Sequence, residues 1–305
     1  GNNCAETGKE CLTGKGIKIA VIDTGVDYTH PDLGGCLGPD CKVLGGWDFI
    51  NNDDDPMDDM GHGTHVAATA AGKGVSGGYN GVAPDANIIA YKVLSAEGWG
   101  YESDIIAGIE HAVDPNQDGD FSDKVDIISM SLGGYGNPDD PMSKSVDSAV
   151  DAGVIAVIAA GNLGYPQTIN SPGTARKAIT VGATYKYDGI AFFSSRGPVI
   201  WEDEIGNEKS IVKPDVVAPG VDICAAQASN NWLSDRECLD DKHISISGTS
   251  MATPHVAGAV ALLKQKHPDW TPEEIKYTIK SNYLNLNLNS FSGFFIGHLN
   301  QGSVI

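Results

Sequence analysis

The chain has 305 residues, 41% apolar and 20% charged, with a formal net charge of −20. That length can bury a sizeable core without a metal or disulfide staple, and the composition is that of a globular protein, not a disordered one. The acidity excludes nucleic acid as a partner, because a phosphate backbone is bound by neutralising it with Lys and Arg, and no apolar run reaches the 18 residues of a membrane-spanning helix.

An arm of residues 1–15 carries Cys4 and Cys11 and shows no charged-then-apolar signal segment, so it reads as the start of a mature form. Short runs apolar on both faces follow at Ile17–Asp23, Asn87–Leu94, Val125–Ser131, Val154–Ala160 and Ala178–Ala183. Such runs are the mark of buried parallel strands. Helical patterns lie between them at Gly63–Ala71, Ser103–Ala112 and Ser143–Asp151. This alternation predicts βαβ units, hence an α/β fold of three αβα layers around a mainly parallel central sheet. Two late helices are expected: Thr249–His267, apolar enough to run through the interior, and Thr271–Asn282, opened by a Thr271–Glu274 capping box with Pro272 at the first position. No linker or repeat divides the sequence, so residues 1–305 read as one domain with an acidic insertion at 114–123.

Six cysteines fall into three sequence-local pairs in Gly-rich and polar stretches, none with C-x-x-C spacing. Fifteen pairings are formally open; locality favours Cys4–Cys11, Cys36–Cys41 and Cys224–Cys238. Disulfides imply an oxidising compartment, so the protein is expected to be secreted.

Three segments carry chemistry. Ile19–Gly25 puts Asp23 at the carboxyl end of a hydrophobic strand, the edge where open α/β sheets bind ligands. Gly61-His62-Gly63-Thr64-His65 places an accessible imidazole at a helix start, without the Glu and spacing of a zinc motif. Ser247–His255 places Ser250 just inside the N-terminus of a long apolar helix, where free N–H groups favour developing negative charge. Each alone has a bland reading as a turn, a surface imidazole or a cap. Together an acid, a base and a hydroxyl form the constellation of nucleophilic acyl transfer.

In these motifs and in their order Asp, His, Ser, the sequence resembles the subtilisin family (subtilases) from about residue 15 to 301. The resemblance implies a serine endopeptidase with Asp23, His62 and Ser250 as its triad, in which Ser250 attacks, His62 moves the proton and Asp23 orients the imidazole. It implies that Asn162, in Ala159-Ala160-Gly161-Asn162, donates to the oxyanion together with the Ser250 backbone N–H. Gly98, Trp99, Gly100 and Tyr101 resemble a strand that pairs with an extended peptide, and Ser131, Leu132 and Gly133 the opposite wall. Leu94, Glu102 and Leu132 are expected around the pocket for the fourth residue before the cut, and Ser131–Gly133 with Ala159–Gly161 around the primary pocket. Relatives are made with an N-terminal propeptide, expected here as a partner alongside protein and peptide substrates. A monomer without a membrane partner is expected. A silent scaffold would need a broken triad, and none is broken; an esterase would need a lipid-sized pocket, which nothing suggests.

Structural calcium, two ions or more, is also expected. The loop before His62 resembles a thermitase-type calcium loop, with Asp48, Asn51, Asp53 and Asp55 as ligands. Asp114-Pro115-Asn116-Gln117-Asp118-Gly119-Asp120 matches the first positions of an EF-hand loop but has Val125 where that motif has Glu; Asp120 or Asp123 is expected to substitute. Asp32 matches a ligand of a further calcium site in many subtilisins, but Val75 stands where those relatives supply Asn, so no ion is expected there.

Overall fold

The computed structural model describes residues 11–75, 77–230 and 236–281. Seven parallel strands form the central sheet in the order β2-β3-β1-β4-β5-β6-β9. They are β1 (Lys18–Asp23), β2 (Val43–Asp48), β3 (Asn87–Lys92), β4 (Ile127–Met130), β5 (Ile155–Ala159), β6 (Ile179–Thr184) and β9 (Val216–Pro219). Two antiparallel hairpins stand outside it: β7 (Val199–Glu202) with β8 (Glu208–Ile211), and β10 (Ile223–Ala226) with β11 (His243–Ile246). The helices are α1 (His62–Ala71), α2 (Glu102–Val113), α3 (Pro141–Asp151), α4 (Thr249–Lys266) and α5 (Pro272–Ser281).

Because side chains alternate across a strand, β1 divides its residues between two cores. Ile19 and Val21 join the core shared with α1, α4 and α5. Ala20 and Ile22 join the one shared with α2 and α3. Ile19, Val21 and Ile22 are fully buried, each worth about 1.5–3 kcal/mol of transfer free energy. The same alternation places Asp23 on the face of Ile19 and Val21, the face covered by α1 and α4. Those are the helices that carry His62 and Ser250. β1 is also the strand about which the order reverses, with β3 on one side and β4 on the other.

The expected three-layer arrangement is present, with strand and helix ends shifted by one or two residues. Thr271 and Glu274 form the capping box, Thr271 N to Glu274 Oε2 at 2.8 Å and Glu274 N to Thr271 Oγ1 at 3.3 Å. The sequence reading omitted β2 and β9 and both hairpins. β2 contains Gly45-Gly46, and β9 is a four-residue edge strand ending in Pro219, so neither shows the branched apolar run that marks a strand. Cys36–Cys41 and Cys224–Cys238 are disulfides. Cys4, one half of the expected Cys4–Cys11 pair, lies outside the described residues.

Asp32 is bonded to a side chain from a distant loop. His243, 1% exposed at the start of β11, donates from Nε2 to Asp32 Oδ2 at 2.9 Å and from Nδ1 to Asp240 Oδ1 at 2.6 Å. Two carboxylate acceptors require both ring nitrogens to donate, which is the imidazolium. Burial opposes that charge, but the bonds to Asp240 and Asp32 outweigh it and raise the pKa above 6.5. The neighbouring His30 ring, 5.6 Å away, is pushed down by its own burial. A raised folded pKa adds stability that is complete below 6.5 and is lost as pH rises through the folded value. The melting-temperature gap between the parent and His243→Gln is therefore expected to be widest in mildly acidic buffer and to close at alkaline pH. A gap independent of pH would show that His243 is held as a neutral ring.

Candidate active site

Asp23 ends β1 with no exposed surface. Its Oδ1 accepts from Thr24 N at 2.8 Å and from His62 Nδ1 at 2.7 Å. Its Oδ2 is buried and takes no hydrogen bond among the described residues. His62 is the first residue of α1, entered through Gly61 at φ 109°, a left-handed conformation that glycine adopts without steric cost. Gly63 is required by proximity, since a Cβ there would lie 2.1 Å from Gly25 O. With no side chain in between, the helix start closes onto the end of β1 and His62 reaches Asp23.

A second acid holds this joint together, and the sequence reading missed it. Asp58 Oδ1 accepts from Thr24 Oγ1, Met60 N and Gly61 N, and Oδ2 from Thr64 N and Thr64 Oγ1. Gly63 N in turn donates to Thr24 Oγ1. Asp58 thereby satisfies the orphan amides of the α1 N-terminus from inside the protein, and burial raises its pKa against those bonds. An Asp four residues before a helix-opening His was the available signal, obscured by the acids around it.

The two histidines of α1 differ sharply. Burial alone would lower the His62 pKa, but the Asp23 carboxylate, by charge and hydrogen bond, and Asp58 by charge raise it above 6.5. His65 is wholly buried, bonds through Nε2 to Ile223 O at 2.9 Å, and is pushed down to about 3 by burial. His65 is neutral core; His62 has a side chain 23% exposed and opens to the cleft.

Ser250 is the second residue of α4. Pro254, four residues on, has no N–H to give the Ser250 carbonyl. Ser131 fills the vacancy, its Oγ donating to Ser250 O at 2.8 Å. In return Ser250 Oγ donates to Ser131 O at 3.1 Å, and not to His62. Asn162 Oδ1 accepts from Thr249 N at 2.9 Å and Thr249 Oγ1 at 3.0 Å. A backbone N–H can only donate, so the amide oxygen must face Thr249 and Nδ2 is left for the cleft.

His62, Ser250 and Asn162 open into one cleft of about 710 Å³. Leu94, Gly98, Trp99, Gly100, Glu102, Ser131, Leu132, Gly133, Ala159 and Gly161 line it. Tyr101 stands outside the lining with its ring 79% exposed. Residues 98–101 form no strand; a turn closed by Gly98 N to Ser95 O and Ser95 N to Trp99 O shapes them. Tyr135, Asp140, Pro141 and Asn170, which the sequence reading did not single out, also line the cleft.

The acidic loops lie apart from it. Asp48 Oδ1 accepts from Ile50 N and Asn51 N and Oδ2 from Asn51 Nδ2, while Asp53 accepts from Asp55 N and Asp55 from Tyr28 OH. In the second loop Asp114 accepts from Asp118 N and Gly119 N, Asn116 from Asp118 N, Asp118 from Asp120 N, and Asp120 from Ser122 N. Asp123 Oδ1 is buried without a hydrogen bond. Among the described residues no three His, Cys, Asp or Glu side chains converge to hold a metal.

The subtilase family model matches residues 14–295. Serine protease AprX of Bacillus subtilis (strain 168) is 42% identical over 290 residues, which are 89% of this chain and 62% of that protein. Subtilisin BL of Lederbergia lenta is 36% identical over 282 residues, 92% of this chain and 88% of that one. Among solved structures, a cold-adapted subtilisin-like serine proteinase superposes with a TM-score of 0.69 at 31% identity, covering 95% of this chain and 91% of its own. Sphericase gives 0.71 at 34%, covering 91% and 87%. The chain belongs to the subtilase family.

Replacing Asp23 with Asn removes the larger of the two charges that raise the His62 pKa, leaving Asp58 alone against burial. The His62 imidazole, followed by NMR, is expected to titrate at lower pH than in the parent. An unchanged titration would mean that Asp23 does not govern this imidazole.

Proposed function

We propose that this subtilase is a secreted serine endopeptidase, its catalytic unit a single domain, that cleaves proteins and peptides through an acyl-enzyme. The observation that carries this reading is the shared cleft: a His62 paired with buried Asp23, a Ser250 at a helix N-terminus, and an Asn162 amide freed toward the same space.

Ser250 Oγ turns from the Ser131 carbonyl toward His62 Nε2 and attacks the scissile carbonyl carbon as His62 takes its proton. Asp23 keeps the imidazole proton on Nδ1 and stabilises the imidazolium. Asn162 Nδ2 and the Ser250 N–H hold the oxyanion. The C–N bond breaks as His62 delivers its proton to the leaving amine. Water then adds to the acyl carbon with His62 as base, releasing the acid and restoring Ser250. The two walls of the cleft receive the extended peptide, with Leu94, Glu102 and Leu132 around the fourth residue before the cut. The disulfides Cys36–Cys41 and Cys224–Cys238 support an oxidising, extracellular location.

The donor sets of Asp48, Asn51, Asp53 and Asp55, and of Asp114, Asn116, Asp118, Asp120 and Asp123, are all hard oxygens and fit calcium by chemistry. When bound, calcium supplies a structural charge that relieves carboxylate repulsion. Each of the bonded carboxylates keeps lone pairs beyond those its N–H partners use.

Ser250→Ala is expected to abolish casein hydrolysis with the fold intact by circular dichroism; activity within tenfold of the parent would sink the assignment. Asn162→Ala should cost about 10²–10³ in turnover, a magnitude known from a subtilisin itself. For calcium, ion in hundredfold excess over its dissociation constant adds about 2.7 kcal/mol. Chelation should therefore lower the melting temperature, and added calcium should restore it. A melting temperature unmoved in metal-free protein would leave these loops as solvated charge.

A further inference from the structure

The β7–β8 hairpin touches the cleft from behind. Val199, 6% exposed, packs with Ala160 and Ile169, and Trp201 and Ile211 complete that cluster. Ala160 directly precedes Gly161 and Asn162, so the hairpin backs the oxyanion side of the site. Its Trp201 also reaches the opposite wall. Trp201 Nε1 donates to Asp139 Oδ2 at 2.6 Å. Arg176 lies with its guanidinium carbon 5.1 Å from the centre of the Trp201 ring. It donates to Asp139 Oδ1 and to Pro138 O, each at 2.6 Å.

Asp139 belongs to the 134–140 loop, whose Gly134, Tyr135 and Asp140 line the cleft beside Leu132 and Gly133. The loop is fixed at its near end by paired bonds between Gly134 and Ser171, 2.9 Å each way. At its far end Asp140 accepts from Asn137 N and Ser143 N, capping α3. Between these points the Tyr135 ring is 96% exposed, so no packing of its own holds it. Within the loop Asn137 accepts from Asp139 N and Asp140 N, and the loop is tied to the rest of the protein by the Asp139 carboxylate, whose two oxygens are claimed by Arg176 and Trp201.

We propose that Trp201 is a positioning residue for substrate: through Asp139 and Arg176 it braces the 134–140 wall of the cleft, so that the hairpin sets affinity for extended peptides. This rests on the endopeptidase reading above. A charged acceptor with two donors is the stronger class of hydrogen bond, and the geometry is two-sided, with Arg176 meeting the carboxylate, the Pro138 carbonyl and the indole face at once. Arg176 first and Trp201 second hold the Asp139 pKa below its ordinary 3.8, consistent with a carboxylate engaged at both oxygens. The wall contacts a bound peptide equally before and during reaction, so its loss should appear in KM and not in kcat.

The test uses Trp201→Phe, which keeps an aromatic ring under Arg176 and deletes only the donor. Kinetics are compared on a four-residue peptide amide, which spans the wall, and on a single-amino-acid ester, which does not. The expected result is a KM for the peptide raised about five- to tenfold, about 1–1.4 kcal/mol, with kcat and all constants for the ester within twofold. Equal losses on both substrates, or no change on the peptide, would overturn the proposal. Hydrogen exchange of the Tyr135–Asp140 amides, measured in a Ser250→Ala background to prevent self-digestion, supplies a readout without turnover. Faster exchange in Trp201→Phe is expected, and unchanged exchange would overturn the brace. A parent inert toward both substrates would overturn the endopeptidase reading instead, leaving exchange to decide the brace alone.

Discussion

The site depends on one buried contact, the Asp23 carboxyl against the His62 imidazole at 2.7 Å. A carboxyl with no exposed surface is costly unless it is bonded, and among the described residues two donors reach it, Thr24 N and His62 Nδ1. To bring the imidazole there, α1 must begin within van der Waals reach of the end of β1, which Gly63 permits and any Cβ would prevent. That closeness strands the first amides of α1 away from water. Asp58 and Thr24 answer for them, and Asp58 is itself buried. The pair therefore demands the glycine, the glycine creates the orphan amides, and the amides demand a second buried acid.

The serine side obeys the same accounting of backbone groups. A proline in the second turn of α4 would ordinarily be a defect. Here it releases the Ser250 carbonyl, and Ser131 from the end of β4 captures it. This bond ties the helix bearing Ser250 to the Ser131–Gly133 wall of the cleft, and Thr249 ties the same turn to Asn162. The segments that follow β4 and β5 and the start of α4 are thus locked together by the side chains of Ser131, Ser250, Thr249 and Asn162, so the cleft is preorganised before any ligand arrives. The Ser250 hydroxyl rests on the Ser131 carbonyl at 3.1 Å.

What the sequence discloses follows from how each feature is encoded. β1, β4, β5 and β6 are doubly buried parallel strands, so their apolar runs are continuous and readable. The triad segments sit where a strand or helix ends among glycines, and period-two alternation is enough to put Asp23 on the face of α1 and α4. β2 and β9 were hidden because glycines and a terminal proline dilute their pattern. The β7–β8 hairpin was hidden because its strands, such as Glu208–Ile211, are mostly exposed and need not be apolar. Asp58 and His243 are the instructive cases. His243 meets Asp32 across 211 positions, and Asp58 joins its sequence neighbours to Thr24, 34 positions away. Spacing along the chain carries no trace of such a contact.

The acidic loops show how a fold can answer like-charge repulsion in two ways. Asp48 is 1% exposed, and an ammonium is built in beside it: Lys92, also 1% exposed, lies 3.7 Å from Asp48 Oδ2 and 2.6 Å from Asp59 Oδ2 and donates to Met57 O. Burying a lysine so fully is tolerable only because it is paired, and the pairing relieves part of the repulsion before any ion binds. The 114–123 loop has no such cation, since among the described residues no ammonium or guanidinium pairs with its carboxylates. Lys18 and Lys124 reach this loop only at backbone carbonyls, those of Asp123 and Phe121. Two like charges about 4 Å apart cost on the order of 4 kcal/mol at an effective dielectric near 20. At 48–59 the Lys92 ammonium offsets part of such repulsion. The His62 imidazole itself is held by Asp23, and the start of its helix by Asp58, groups that belong to the chain itself.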